Sequence, residues 1–284
     1  MTPDGELLTA ALGREPLRWE PVETGGYTRS RTWRVETAGG QVFAKQADDQ
    51  GSLQMLRRES LIYEGTRGSF LPGFVGFADS GERALLAIEF VDGAHWPPPY
   101  PTDLAPLEAA LEDVAAADPP AELPAAWAWE SRWERVAADP QPFLALGLCS
   151  PAWLEASVDR LIAAEKEADF KGEHLVHNDL YAANIAFRSG RALFVDWGAA
   201  VRGSRWTDVA LAHLSVRVES GSPLPTPPDA IPFVAAFAGH FAVEAPAPLP
   251  EWADPSSTLR QDMKGDLVHA LQWCVEALDL PPLS

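Results

Sequence analysis

Four polar residues in the second half of the chain have the types and the spacing that phosphoryl transfer requires. His177, Asp179, Asn184 and Asp196 follow the order H-x-D-x4-N-x11-D. A carboxylate can orient an attacking hydroxyl group and take its proton, while hard oxygen ligands can hold Mg²⁺ against nucleotide phosphates. Asp179 fits the first role, and Asn184 and Asp196 fit the second. An ordinary hairpin with solvated polar residues is the competing interpretation.

Short apolar runs surround these four residues. Leu175 and Val176 lead into the set, and two further runs cover residues 185–187 and 192–195. The turn Arg188-Ser189-Gly190-Arg191 separates the last two runs, so they are predicted to form a β-hairpin. The polar residues would then lie in a loop and at the ends of the hairpin.

This segment resembles the catalytic loop of the aminoglycoside phosphotransferase and choline kinase-like family, whose members are small-molecule kinases. The family pattern is H-G-D-x4-N, followed by a strand that ends in an aspartate. This chain has Asn178 in place of the glycine, and its metal-binding aspartate lies in Val195-Asp196-Trp197-Gly198. The resemblance implies an α+β, two-lobe protein-kinase-like fold, with a small β-rich N-lobe and a larger, mainly helical C-lobe. It also implies that His177 supports the loop and has no proton-shuttle role.

The N-terminal region predicts a strand hairpin behind a glycine-containing loop. Strands are expected at 31–36 and 41–46, joined by the turn at 37–40. Upstream, residues 24–30 (TGGYTRS) combine glycines with small hydroxyl residues, which suits a backbone that approaches phosphate oxygens closely. Ser30 and its neighbours are therefore predicted to cover nucleotide phosphates.

A lysine and a glutamate in this region form the second predicted part of the site. Lys45 lies in an apolar strand, and residues 52–64 have helical periodicity. Glu59 on that helix can reach back to Lys45, with Glu64 as the alternative partner. The resemblance implies that Lys45 holds the α- and β-phosphates and that Glu59 positions it, as in protein kinases.

A boundary between the two lobes is predicted near residue 92. Strands are expected at 70–77 and 84–91, after which Asp92-Gly93 interrupts the pattern. The resemblance makes this the hinge, where backbone groups near Glu89 and Val91 would bind the adenine ring. The predicted lobes are thus 1–91, which covers the nucleotide, and 92–284, which carries the catalytic and acceptor-binding residues.

The second lobe is predicted to be mostly helical. Thr102-Asp103 and Ser256-Ser257 resemble N-caps. Asp208 either braces the catalytic loop, as the resemblance implies, or caps a helix. Three tryptophans close in sequence, Trp127, Trp129 and Trp133, line an acceptor pocket or, as we favour, pack in the core. The predicted helices cover 104–117, 129–138, 151–169, 206–218, 229–241 and 256–278.

Composition limits the class of protein. The 284 residues are 46% hydrophobic and include eleven tryptophans, enough for a substantial core. No apolar stretch reaches the roughly 20 residues of a membrane span, and the first residues lack the features of a signal peptide. Cys149 and Cys274 are far apart in sequence and suggest free thiols in a reducing compartment. We therefore expect a cytoplasmic protein.

The net charge of −19 argues against nucleic-acid and membrane partners, whose surfaces are also negative. Residues 1–90 carry 10 Lys and Arg against 13 Asp and Glu, and residues 91–284 carry 12 against 28. The acidic second part either attracts a cationic acceptor or is simply a solvated surface, and charge count alone favours the latter.

Three functional hypotheses follow. The first is a kinase that uses ATP or GTP with Mg²⁺ to phosphorylate a hydroxyl group of a small molecule: an aminoglycoside or related amine, a sugar or amino sugar, or a choline-like or homoserine-like metabolite. The second is a nucleotide-binding regulator without transfer activity. The third is a scaffold without a nucleotide site. The sequence does not indicate the oligomeric state.

Overall fold

The computed structural model describes residues 2–22, 27–96, 104–221, 225 and 227–283. The chain packs as two compact units. The first comprises Met1–Pro124, His174–Arg202 and Glu251–Ser257, and the second comprises Ala125–Glu173, Gly203–Pro250 and Thr258–Ser284. Within the described residues, no helix is both long enough and apolar enough to cross a lipid bilayer.

The first unit is built on a five-stranded antiparallel sheet. Its strands are β1 (Arg18–Pro21), β2 (Arg31–Thr37), β3 (Gly40–Ala47), β4 (Phe74–Asp79) and β5 (Ala84–Glu89), in the spatial order β1-β2-β3-β5-β4. The predicted hairpin is present as β2 and β3, with Thr37 paired to Gly40 at its turn. The strand predicted at 70–77 is wrong at its start, because Pro72 and Gly73 precede β4 and Phe70 is buried outside the sheet.

Helices α1 (Gly5–Leu12) and α2 (Gln50–Gly65) pack on the two faces of this sheet. Leu8 and Leu12 of α1 join a cluster with Trp33, Ala44 and other inward-facing strand residues. Because side chains alternate along a strand, Lys45, the residue after Ala44, points to the opposite face of the sheet, where α2 lies. Helix α2 begins at an N-cap, Asp49, whose carboxylate accepts the N–H groups of the first turn.

The rest of the first unit carries the catalytic-loop segment. It contains α3 (Leu104–Ala116), β6 (His174–Val176), β7 (Ile185–Arg188), β8 (Arg191–Phe194) and β9 (Val201–Gly203). Strands β7 and β8 form the predicted hairpin, and β6 pairs with β9. Short 3₁₀ turns precede β7 at Ala182–Asn184 and follow β8 at Trp197–Ala199.

The second unit is mainly helical. Its helices are α4 (Arg132–Ala138), α5 (Gln141–Leu144), α6 (Pro151–Lys166), α7 (Trp206–Ser220), α8 (Ile231–Glu244) and α9 (Leu259–Ala277). Helix α8 lies at the centre and is buried on nearly all sides, which fits its almost wholly apolar sequence. The Ser256-Ser257 cap is wrong, because Thr258 occupies the N-cap position of α9. Thr102 and Asp103 lie outside the described residues.

Tryptophans of the second unit mainly serve packing. Trp133 is fully buried and donates its indole N–H to the carbonyl of Ala235 at 2.8 Å. Trp129 stacks on Phe170 and donates to the buried carboxylate of Glu165 at 2.8 Å. The core interpretation is therefore confirmed for Trp133, whereas Trp129 is half-buried and Trp127 is 56% exposed.

Candidate active site

Lys45 connects the three elements of the first unit that carry the predicted nucleotide site. From β3, its ammonium donates to Glu59 Oε2 of α2 at 3.0 Å and to Asp196 Oδ1 at 2.7 Å. Asp196 immediately follows the hairpin of β7 and β8. The predicted pair of Lys45 with Glu59 is thus present, and the alternative partner, Glu64, is exposed on the same helix.

The two carboxylates of this cluster have different pKa values, because one ammonium serves both the buried Glu59 and the partly exposed Asp196. Burial alone would lower the pKa of Lys45, but Asp196 and Glu59 together raise it above its usual range. Burial raises the pKa of Glu59 to about 7, although Lys45 acts in the opposite direction. Burial also acts to raise the pKa of Asp196, but there Lys45 prevails and lowers it. Asp196 is therefore the ionised partner of Lys45.

Asp179 and Asn184 are brought together by the 3₁₀ turn between β6 and β7. The side-chain amide of Asn184 donates to the backbone carbonyl of Asp179 at 2.8 Å and to its carboxylate oxygen Oδ2 at 3.1 Å. The N–H of Val195 donates to the carbonyl of Asn184 at 3.0 Å, so Asn184 is also tied to the residue before Asp196. The three predicted catalytic and metal-binding side chains therefore belong to one hydrogen-bonded segment.

Two residues in or next to the predicted polar set have left-handed backbone conformations, in addition to Ser189 and Gly190 of the hairpin turn. Asn178 has a φ of 66° and Asp196 has a φ of 63°. Glycine adopts this region without a steric penalty, and Asn and Asp adopt it more readily than other residues with side chains. Asparagine at position 178, where the family has glycine, can therefore adopt the left-handed conformation found here. The Asn178 amide also lies 3.4 Å from the carbonyl of Ala199.

His177 is buried and contacts the residue before Asp196, and the supporting role that the resemblance implied stays a prediction. Its side chain is fully buried, and Nε2 lies 2.9 Å from the carbonyl oxygen of Val195. The ring packs on Trp197 with a centroid distance of 4.4 Å. Burial lowers the pKa of the imidazole to about 4, so it is neutral near pH 7 and its ring N–H can bind the carbonyl.

The 3₁₀ turn after Asp196 makes contacts that sequence reasoning missed. The backbone N–H of Trp197 bonds to Glu59, and that of Gly198 bonds to Asp196. A Cβ at Gly198 would lie 3.0 Å from Cβ of Met55 on α2, so a larger residue there would push against the helix. The pair Trp197-Gly198 thus allows a close approach of the turn to α2, and only a three-dimensional contact could have revealed it.

The predicted hinge residues lie at the end of β5 and just beyond it. The N–H of Glu89 is already donated to the carbonyl of Gly73 at 2.7 Å, and its carboxylate binds Arg188 at 2.7 Å. The carboxylate also accepts the N–H of Gly73. Val91 is half-buried beyond the end of β5. Adenine binding at this segment stays a prediction.

Two further predicted residues have known positions but untested roles. Ser30 is half-buried directly before β2, while Thr24, Gly25 and Gly26 of the predicted covering loop lie outside the described residues. Asp208 is buried in the first turn of α7, whose N-cap position is held by Arg205. Asp208 is therefore not the cap residue, and its bracing role stays a prediction.

The donor atoms near Asp196 fit a magnesium ion that arrives with a nucleotide. Where the structure describes the chain, no three or more His, Cys, Asp or Glu side chains gather as a ready-made metal cluster. Mg²⁺ does not need one, because it is usually held by one or two protein oxygen ligands together with substrate phosphates and water. Asn184 and Asp196 supply an amide and a carboxylate of this kind.

Comparison with known protein families identifies the family to which this chain belongs. Residues 19–252 match the phosphotransferase enzyme family, which covers most of the chain and every predicted site residue. This chain belongs to the phosphotransferase enzyme family. A search of curated proteins found no match.

Solved structures of phosphotransferases share the fold at low sequence identity. A thermostable mutant of aminoglycoside phosphotransferase APH(4)-Ia, in complex with ADP and hygromycin B, is 16% identical, with a TM-score of 0.56 and full coverage of both chains. Spectinomycin phosphotransferase APH(9)-Ia, in complex with ADP and spectinomycin, is 11% identical, with a TM-score of 0.60 and coverage of 96% of this chain and 97% of that one.

A choline/ethanolamine kinase family protein from Mesorhizobium loti gives a third comparison. It is 13% identical, with a TM-score of 0.53 and coverage of 93% of this chain and 89% of that one. These likenesses confirm the α+β, protein-kinase-like fold that the catalytic segment implied.

Proposed function

We propose that this phosphotransferase is a kinase that transfers the γ-phosphoryl group of ATP or GTP to a hydroxyl group of a small molecule. The observation that carries the proposal is the position of Lys45 between Glu59 and Asp196. This arrangement places a cation and an ionised carboxylate together, as the binding of nucleotide phosphates and Mg²⁺ requires.

Each residue then has a defined task. Lys45 binds the phosphate oxygens, and Glu59 keeps the ammonium in place. Asp179 orients the acceptor hydroxyl and receives its proton as the new oxygen–phosphorus bond forms and the nucleoside diphosphate leaves. Mg²⁺ bound by Asn184 and Asp196 would neutralise phosphate charge. Positioning and charge neutralisation provide most of the rate enhancement in such reactions.

We further propose that a cationic, hydroxyl-bearing acceptor should be tested first. Residues 91–284 carry 12 basic against 28 acidic side chains, a balance that attracts amines, although the count alone favours a solvated surface. Two of the phosphotransferases with the same fold were solved with hygromycin B and with spectinomycin. Amino sugars, choline and homoserine are the other acceptors that the family relationship suggests. A reducing cytoplasm, where Cys149 and Cys274 stay free thiols, is the location we propose.

The regulator hypothesis has less support. It rested on two departures from the usual family pattern, Asn178 and the pair Trp197-Gly198. The left-handed φ of Asn178 and the close approach of Gly198 to α2 give both departures a backbone explanation that is compatible with catalysis. We therefore carry the kinase as the single proposed function.

The test is a coupled assay of ADP and GDP release in Mg²⁺, with aminoglycosides, amino sugars, choline and homoserine as acceptors. Asp179→Asn is the matched control, since it keeps the size of the side chain and removes the proton acceptor. Release that depends on one acceptor class and is lost in the variant supports the proposal. Nucleotide binding without release for any acceptor would count against transfer and favour a regulator.

A further inference from the structure

A short segment late in the chain contacts the predicted nucleotide-covering loop. We call Glu251–Ser257 the strap. It packs in the first unit, although Pro250 before it and Thr258 after it belong to the second. Thr28 and Ala253 form an antiparallel bridge, and the N–H of Asp254 donates to the carbonyl of Tyr27 at 2.8 Å. The strap thus pairs with the end of the loop through a single antiparallel β-bridge.

The strap has its own local structure. The Asp254 carboxylate accepts the N–H of Ser256 at 2.8 Å and its hydroxyl at 2.5 Å, and the N–H of Ser257 donates to the Asp254 carbonyl at 2.9 Å. Ala253 is only 3% exposed. A segment held by its own turn loses less conformational freedom when it pairs with the loop.

The strap also contacts α2, which carries Glu59. Cβ of Trp252 lies 3.4 Å from the position that a Cβ would occupy at Gly51, in the first turn of that helix. Arg29, next in sequence to Thr28, interacts electrostatically with both Asp254 of the strap and Asp49, the N-cap of α2. These contacts therefore join the strap to both the end of the loop and the start of α2.

We propose that the strap is a positioning element for nucleotide binding, which holds the end of the covering loop in register with α2. The inference rests on the proposed nucleotide site. The matched family region ends at residue 252, so Ala253 and Asp254 lie beyond it.

The first test removes the backbone donor. Asp254→Pro has no N–H to donate to Tyr27, whereas Asp254→Ala keeps the N–H and loses only the side chain. The binding of Mg·ATP and Mg·GTP is measured by calorimetry, and the free energy of unfolding is measured without ligand. Asp254→Pro should weaken nucleotide binding about threefold to tenfold, the range for the net loss of one backbone hydrogen bond. Asp254→Ala should weaken it less.

Kinetics separate positioning from general support of the fold. Once an acceptor is known, Asp254→Pro should raise KM for the nucleotide and leave KM for the acceptor within about twofold. A variant with a lower free energy of unfolding but wild-type nucleotide binding would show that the strap only supports the fold, which would overturn the proposal.

A reversible cross-link tests the same contact without proline. The hydrogen bond from Asp254 to Tyr27 flanks the bridge, so Thr28 and Ala253 form a non-hydrogen-bonded pair, whose Cα atoms are typically about 4.5 Å apart and within disulfide range. Thr28→Cys with Ala253→Cys is made in a Cys149→Ser background. Cys274 can stay, because it is buried and burial raises its thiol pKa to about 12.

The oxidised cross-linked protein should bind Mg·nucleotide at least as tightly as its reduced form. When combined with Asp254→Pro, the disulfide should restore the lost affinity. Loss of nucleotide binding on oxidation would mean that the strap has to leave the loop, and the proposal would be wrong. A wild-type protein that binds neither nucleotide would instead overturn the proposed function, and this inference with it.

Discussion

The ammonium of Lys45 lies 2.7 Å from Oδ1 of Asp196, closer than its 3.0 Å distance to Glu59. The predicted phosphate-binding lysine therefore occupies one oxygen of the predicted metal-binding carboxylate. A nucleotide that takes over the ammonium leaves that carboxylate oxygen available to Mg²⁺. Nucleotide and metal should consequently bind together more tightly than either does alone.

Lys45→Met should destabilise the protein and change its response to magnesium. The variant leaves the buried carboxylate of Glu59 without its cation, and removal of one partner of a buried ion pair costs about 3–5 kcal/mol. Mg²⁺ alone should restore part of the free energy of unfolding, which denaturant titration with and without Mg²⁺ measures. Arg57→Met is the control, because its ion pair with Asp79 is substantially exposed and should contribute about 1 kcal/mol or less. Equal losses in both variants would contradict this prediction.

Asp179→Asn and Asp196→Asn should separate turnover from nucleotide binding. Loss of the proton acceptor at position 179 should lower kcat by roughly 10²- to 10⁴-fold with little effect on Mg·nucleotide affinity. Loss of the carboxylate at 196 should damage turnover as much and also weaken Mg·nucleotide binding. Calorimetry and the coupled assay give the two quantities. Near-normal turnover of Asp196→Asn in Mg²⁺ would remove that residue from the metal site.

Substitutions at Asn178 should follow backbone conformation. Asn178→Gly keeps the left-handed φ of 66° without strain and should retain nearly all stability and activity. Asn178→Val should lose about 1–3 kcal/mol, because a β-branched residue is strongly disfavoured there. Chemical denaturation of the wild type, Asn178→Gly and Asn178→Val checks this order of stabilities. If valine is tolerated as well as glycine, this φ is not a constraint on the loop.

Gly198→Ala should destabilise the protein and weaken nucleotide binding, because its Cβ would press on Met55 of α2 at 3.0 Å. The helix can yield only by moving away from the turn whose N–H binds Glu59. Gly265→Ala is the matched control: it lies within α9 and no atom lies within 4 Å of its added Cβ. That control should raise the free energy of unfolding by about 0.5–1 kcal/mol. Thermal unfolding with and without Mg·nucleotide measures both effects.

Asp266→Asn should stabilise the protein at alkaline pH. Burial, together with the charges of Asp262 and Glu219, raises the pKa of Asp266 from 3.8 to about 7. A raised folded-state pKa means that its contribution is fully present below the unfolded pKa and is lost as pH rises through 7. The gain from Asn should therefore be small near pH 4 and on the order of 2–4 kcal/mol at pH 8. Denaturant unfolding at both pH values tests it, and a gain independent of pH would contradict it.

The site was predictable from sequence where short patterns determine the geometry. Lys45 and Glu59 were found because strand alternation and helical spacing direct them to one side of the sheet. The hairpin of β7 and β8 followed from its turn residues. Asn184 and Asp196 come together because that hairpin returns the chain to its starting point, as the bond from Val195 to Asn184 shows.

Other elements were missed because their stabilisation is not local. β1 has four exposed residues and ends in proline, so it lacks the alternation of a strand, and it forms by pairing with β2. α1 was overlooked because its eight residues gain stability from the sheet, through Leu8 and Leu12. The pairing of the strap with the covering loop was missed, since nothing near Ala253 indicates a partner as distant as Thr28.

The pairing of Thr28 with Ala253 also bears on protein synthesis. Ala253 is made about 225 residues after Thr28, which at about 5–20 residues per second is a delay on the order of 10 to 45 seconds. Lys45 likewise cannot bind Asp196 until a further 151 residues have been synthesised. During this interval the nascent chain has neither the strap bridge nor the Lys45–Asp196 bond. If the proposed nucleotide site is correct, a bound nucleotide stabilises the protein only late in translation, and until then the sheet depends on its packing with α1 and α2.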